Sequence, residues 1–176
     1  MSEYHFTLKF RLADAQADPG LCIDALFQAG CDDATIGIGQ RGRIALDFAR
    51  EADTALAAIT SALEAVKRAI PGATLIEAAP DFVGLTEVAD IVGCSRQNMR
   101  KLMIGNPATF PDAVHQGTPS LWHLRPLLGW YSETQKRSID RLLIEVADAT
   151  MKVNIARETR HLAGAKLPKA LQSLIA

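Results

Sequence analysis

Between residues 95 and 101 the chain reads Ser95, Arg96, Gln97, Asn98, Met99, Arg100 and Lys101. Guanidinium, amide and ammonium groups are the side chains that hydrogen-bond to base edges and phosphate oxygens. Arg96 and Arg100 suit the paired acceptors of guanine, and Gln97 and Asn98 suit adenine. Ser95 adds a hydroxyl and Lys101 a mobile cation. The chemistry expected of this stretch is contact with double-stranded DNA.

Such a row works only if something holds it outward. From Leu85 to Leu102 the apolar spacing supplies two short helices. Val88, Ala89 and Val92 form one stripe; Met99 and Leu102 form a second. Gly93 breaks between them, where a left-handed backbone costs a glycine little. Cys94 is expected to point inward. Ser95 is placed to cap the second helix through its hydroxyl. The pattern is that of a helix-turn-helix, with Ala89 small where the helices cross. Charge is distributed accordingly. Residues 1–80 carry 7 Lys/Arg against 11 Asp/Glu, while residues 93–141 carry 7 against 3. The basic excess lies in and just after the helix pair, where a phosphate-facing surface needs it.

The amino-terminal half follows a different rhythm. Residues 5–12 alternate with period two, placing Phe6, Leu8, Phe10 and Leu12 on one face and His5, Thr7, Lys9 and Arg11 on the other. That predicts a half-buried strand. Asp18-Pro19 opens a helix carrying Leu21, Ile23, Leu26 and Phe27, and Gly30 ends it. Residues 35–38 and 43–48 predict a hairpin around Gly39–Gly42. Asp53 is expected to cap a second helix bearing Leu56, Ile59, Leu63, Val66 and Ile70, ended by Pro71-Gly72. Residues 74–78 predict a last strand. The order is strand, helix, strand, strand, helix, strand, a ferredoxin-like βαββαβ pattern with both helices on one sheet face. The predicted fold class is α+β: a ferredoxin-like unit over residues 1–80, a winged helix-turn-helix over 81–131, and a long carboxy-terminal helical segment over 132–176.

Other function classes find little support in the motifs. Gly37-Ile-Gly39-Gln-Arg-Gly42 spells a dinucleotide-binding fingerprint, but a strand is expected after it where pyrophosphate binding requires a helix N-terminus. There is no G-x-S-x-G, no H-E-x-x-H, no phosphate-loop lysine and no clustered His/Cys set, so neither an enzyme nor a cofactor is expected. The three cysteines, Cys22, Cys31 and Cys94, show no zinc spacing and predict reduced, mostly buried thiols of a cytoplasmic protein. No apolar run is long enough for a membrane span.

Past the helix pair, Gly105-Asn-Pro107 ends the second helix. Phe110-Pro111, a polar stretch with Gly117, a Trp122 strand and a segment with Trp130 follow. Over residues 85–131 this succession resembles the winged-helix family of MerR-type regulators, AlpA-type activators and phage excisionases, found in bacteria and their phages. The resemblance implies a second helix in the major groove, contributed by Ser95, Arg96, Gln97, Arg100 and Lys101. It also implies a wing whose tip, Gln116, Gly117 and Thr118, touches flanking backbone, with Trp122 and Trp130 as structural anchors. The chain departs from the family pattern in two places. No Lys or Arg stands between Thr109 and Leu124, so wing contacts fall to neutral donors such as Gln116 and Thr118. Pro126 and Gly129 interrupt the helix expected after the wing. His115 and His123 are further phosphate candidates. The Asp18-Pro-Gly-Leu21 entry resembles the opening of ACT-type regulatory domains, which implies a small-molecule partner for residues 1–80.

Ser132-Glu-Thr-Gln135 spells a capping box, predicting a helix from there to about residue 162. Ile139, Leu142, Val146, Ala149, Val153 and Ala156 recur at three and four residues, broadened by Leu143 and Thr150. A seam of this kind suits a coiled-coil-like pairing of two copies, as in MerR-type dimers, or packing on the chain's own amino-terminal unit. The expected function is a homodimeric, sequence-specific transcriptional regulator on double-stranded DNA. The alternative is an antitoxin-like or adaptor protein whose residues 1–80 bind a protein or small-molecule partner.

Overall fold

The computed structural model describes residues 1–160, which form a mixed α+β structure around a four-stranded antiparallel sheet. β1 (Ser2–Arg11) is central because its buried face, Tyr4, Phe6, Leu8 and Phe10, is apolar at every second residue. It pairs on one side with β3 (Arg43–Ala52) and on the other with β4 (Thr74–Ala79); β2 (Ala34–Gly37) completes the order β2-β3-β1-β4. Phe6 and Phe48, opposite each other in the β1–β3 register, stack with centroids 5.2 Å apart. His5, Lys9 and Arg11 are exposed on the opposite face, as the alternation predicts.

Two helices from this half cover the apolar face. Pro19–Cys22 is a 3-10 turn capped by the Asp18 carboxylate on Gly20 N, and it leads into the short α1 (Ile23–Gln28). Here the expectation needs correction. Only Leu26 of the predicted apolar set is buried; Leu21, on the 3-10 turn, is 83% exposed, and Phe27 is 65% exposed because the six-residue α1 turns only one face inward. α2 (Ala55–Ala69) is capped by Thr54, one residue past the expected Asp53, and leaves Leu56 exposed. The Gly37–Gly42 fingerprint runs from the end of β2 through a turn into β3, a hairpin with no helix after it.

The chain then builds a second apolar cluster from β5 (Phe82–Val83), α3 (Leu85–Val92), α4 (Arg96–Gly105), β6 (Trp122–His123) and α5 (Leu124–Gln135). β5 and β6 pair antiparallel. α5 runs through Pro126 and Gly129 without a break. Pro126 sits in its first turn, where a missing N–H costs nothing. The predicted helix start at Ser132 is therefore wrong. Ser132 lies inside α5, its hydroxyl donating to Arg137 O, and α5 ends at Lys136 with φ 52°. A new helix, α6 (Arg141–Thr159), begins with Asp140 as cap.

α6 also settles the fate of the predicted seam. Val146 and Ala149 are buried with Leu142 and Val153 against the sheet core, whereas Leu143, Ile144 and Ala147 pack with the second cluster. One helix thus serves two cores of its own chain, and the seam is not free for a coiled coil between copies. The Gly164 and Leu167-Pro168 stop signals and the final turn expected after Lys169 lie outside the described residues.

Candidate nucleic-acid interface

The α3–α4 pair is assembled by local bonds, of which the Gly93 turn and the Ser95 cap are the ones expected from sequence. Glu87 reaches back to accept from Gly84 N at 2.8 Å, closing the first turn of α3. Val88 and Ala89 are buried. Gly93 turns the chain at φ 72°, a left-handed conformation that a side chain disfavours. Its neighbour Cys94 donates its amide to Ala89 O at 2.9 Å. Ser95 Oγ then accepts from Asn98 N at 3.1 Å and caps α4.

Only Met99 of α4 is fully buried, with Leu102 and Met103 half-buried beside it. At 100° per residue this inner stripe directs Gln97 and Lys101 straight outward, places Arg100 and Asn98 on opposite flanks, and leaves Arg96 nearer the inner face. All five side chains are exposed, as is Ser95, and the sheet does not cover them.

Arg96 faces a cleft of about 740 Å³ between α4 and the loop that follows it. The same cleft is lined by Met103, Phe110, Asp112, Gln116, Gly117 and Thr118. The structure therefore brings Arg96, Gln116 and Thr118 together, and leaves Gln97, Asn98, Arg100 and Lys101 on the outer surface of the helix.

Two tryptophans anchor that loop. Trp122 Nε1 donates to Pro111 O at 3.0 Å, and Trp130 Nε1 donates to Thr109 Oγ1 at 3.2 Å. The Phe110 ring meets both indoles edge-on, 6.1 and 4.8 Å between centroids. The predicted wing is less regular than a hairpin: one bridge, His115 with Leu121, closes the loop. Inside it, Ser120 Oγ donates to Gly117 O at 3.0 Å. A Cβ on Gly117 would lie 2.2 Å from Nε2 of the exposed His115 ring, so a larger residue there requires that ring to swing aside.

His123, a phosphate candidate from sequence, is turned away from solvent. Its Nδ1 lies 2.7 Å from Oδ1 of the fully buried Asp81, and its ring packs on Phe82. This pair belongs to a network that sequence reasoning missed. Asn154 Nδ2 donates to Asp81 Oδ2 at 2.8 Å and to Ala78 O at 2.7 Å; its Oδ1 accepts from Ala78 N at 2.9 Å. Thr150 Oγ1 donates to Pro80 O at 2.7 Å. Asn154 thus satisfies the outer backbone groups of Ala78 on edge strand β4, which would otherwise be open for pairing. The available signal was two polar residues, Thr150 and Asn154, within the apolar seam.

A second buried polar site lies within the sheet unit. Arg50 is 8% exposed and donates to both oxygens of Asp33, with the Asp33 hydrogen bond pushing its pKa further up. Burial pushes the adjacent Cys31 thiol up as well, which keeps it in the unreactive protonated form. The Tyr4 hydroxyl donates to the Glu145 carboxylate at 2.8 Å, and that bond raises its pKa. These groups tie elements together and face no cleft beside α4. Among the described residues no three His, Cys, Asp or Glu side chains cluster to hold a metal ion, and no helix is long and apolar enough to cross a membrane.

Comparison of the chain with protein-family models, with curated proteins and with solved structures finds no match.

Proposed function

We propose that this chain is a sequence-specific double-stranded DNA-binding regulator, reading DNA through a winged helix-turn-helix of the MerR, AlpA and excisionase type. One observation carries the reading. α4 is a capped helix whose Arg96, Gln97, Asn98, Arg100 and Lys101 all stand in solvent, uncovered by the rest of the chain. A rod of that width fits the major groove. The cleft beside Arg96 gives the loop tip, Gln116 and Thr118, a place against the flanking phosphates. The strand order and the antiparallel pairings support a ferredoxin-like amino-terminal unit, with α6 as an added helix on the same sheet face.

A dimer on DNA places two recognition helices about one helical turn apart on a palindrome. Since α6 is spent internally, two-fold contacts must come from another surface. The adaptor reading keeps one specific observation in its favour, the exposed Leu21 on the 3-10 turn and Phe27 on α1. Single apolar residues are ordinary on surfaces, so the helix pair outweighs it.

Selection of bound sequences from random duplex DNA, repeated at several salt concentrations, tests the proposal. A recovered motif is expected, with Arg96→Ala costing about 1–3 kcal/mol at one base position. Salt-sensitive binding without any motif would defeat the claim of sequence reading.

A further inference from the structure

At the far end of the sheet, Arg11 and Arg43 stand directly opposite each other in the β1–β3 register, both exposed. Like charges placed opposite across a sheet repel. α6 adds to this crowding. It passes edge strand β4, where Arg157 Nη1 donates to Ile76 O, and Arg160 follows three residues later. The four arginines ring a cavity of about 280 Å³ floored by residues 74–76. Among the described residues no Asp or Glu lines it. Among the described residues Arg11, Arg43 and Arg160 pair with no carboxylate, and Arg157 meets only its neighbour Glu158. Arg157 Nε is buried and has no hydrogen-bond partner there.

Four guanidinium groups gathered around one concavity repel each other until an anion fills it. Their planar forks match phosphate oxygens two at a time. The volume is too small for a duplex to enter and ample for two linked phosphates. We infer that this cleft binds a small phosphorylated ligand carrying adjacent phosphate groups. The site is separate from α4 and does not depend on the DNA-binding reading.

The test is calorimetric titration of the full chain with pyrophosphate and with orthophosphate, in the absence of DNA. One pyrophosphate per chain is expected, bound at least about tenfold more tightly than orthophosphate because more charge-assisted hydrogen bonds form. The double variant Arg11→Gln/Arg43→Gln loses about tenfold or more in affinity. Without anion it melts no lower than the parent, since a repulsive pair has gone. Arg11→Lys/Arg43→Lys keeps the charge but loses the forks, and weakens binding too. Arg41→Gln, whose guanidinium donates to Gln16 O outside the cleft, binds as the parent does.

Equal binding by the lysine variant would reduce the cleft to a diffuse charge patch and overturn the inference. So would equal affinity for both phosphates. A third contrary result would be displacement of pyrophosphate by duplex DNA from a chain carrying Arg96→Ala, Arg100→Ala and Lys101→Ala, since the cleft would then be a second backbone contact.

Discussion

On α4, positive charge comes from Arg96, Arg100 and Lys101, three side chains of one ten-residue helix; at the far end of the sheet it comes from four arginines on β1, β3 and α6. Arg100 and Lys101 stand on the convex outer side of α4, with Arg96 bordering the cleft beside it, whereas the four arginines line a concavity. A convex row spreads its contacts along a partner longer than itself, so its affinity is shared among many phosphates and falls steeply with salt. A concave cluster directs several forks at one point and selects by fit. If both proposals hold, similar residue types serve different partners according to the elements that carry them.

The comparison assumes that both surfaces hang on one rigid frame, and the largest predicted effect tests that. Asn154 makes three buried hydrogen bonds, two to Ala78 and one to Asp81, from the carboxy-terminal half of the helix shared by both cores. Asn154→Ala strands a buried carboxylate oxygen and two backbone groups. The expected cost is about 3 kcal/mol or more, read from the urea midpoint. Both surfaces should fail in the same transition. If the variant melts in two steps, with the α4 unit lost and the sheet intact, the two are independent bodies and the shared frame is wrong.

How far these surfaces were legible in sequence follows from the range of the interactions that make them. The α4 row was readable because its determinants are local: Ser95 caps three residues ahead, Gly93 turns the chain, and Met99 with Leu102 fixes the inner face. The sheet was readable because alternation in residues 5–12 has a period of two. The arginine cleft was not. Arg11 and Arg157 meet only through tertiary packing, and no spacing announces it. The same holds for Asp81, His123 and Asn154, of which only His123 drew notice in the sequence, as a phosphate candidate. The α6 seam shows the limit of periodicity itself. Its repeat marked Val146 and Ala149 as buried and Leu142 and Val153 as half-buried, but Ala156 is exposed and Ile139 precedes the helix, and the pattern cannot say whether a second copy or the chain's own sheet covers the buried ones. The break at Lys136 was hidden because Ser132 to Gln135 matches a capping box while standing inside an existing helix.

A middle-sized effect separates the surfaces by their salt response. Lys101 points straight outward from α4 and is the member suited to phosphate. Lys101→Ala should weaken binding to every duplex alike and lower the slope of log K against log salt by about 1. Arg11→Gln/Arg43→Gln should leave that slope unchanged. A drop in slope from the cleft variant would mean that both surfaces touch the same DNA, and the distinction between rod and cleft would lose its functional meaning.

The smallest effect concerns the loop tip, where the chain has no cation to offer. Gln116 and Thr118 are exposed beside Arg96, and contacts they make with a backbone phosphate come from an amide and a hydroxyl. Neutral donors release no condensed counterion of their own. Gln116→Ala and Thr118→Ala are each expected to cost about 1 kcal/mol or less in DNA affinity while leaving the salt slope where it was. Gly117→Ala supplies the contrast within the same loop. Its added Cβ displaces the exposed His115 ring and removes neither donor, so affinity and slope are both expected to stay at the parent's. Fluorescence anisotropy on one duplex at three salt concentrations resolves the two signatures. Parallel lines displaced in affinity fit a neutral tip bearing on the backbone. Superimposed lines for all three variants would remove the loop from the interface and leave α4 to read DNA alone.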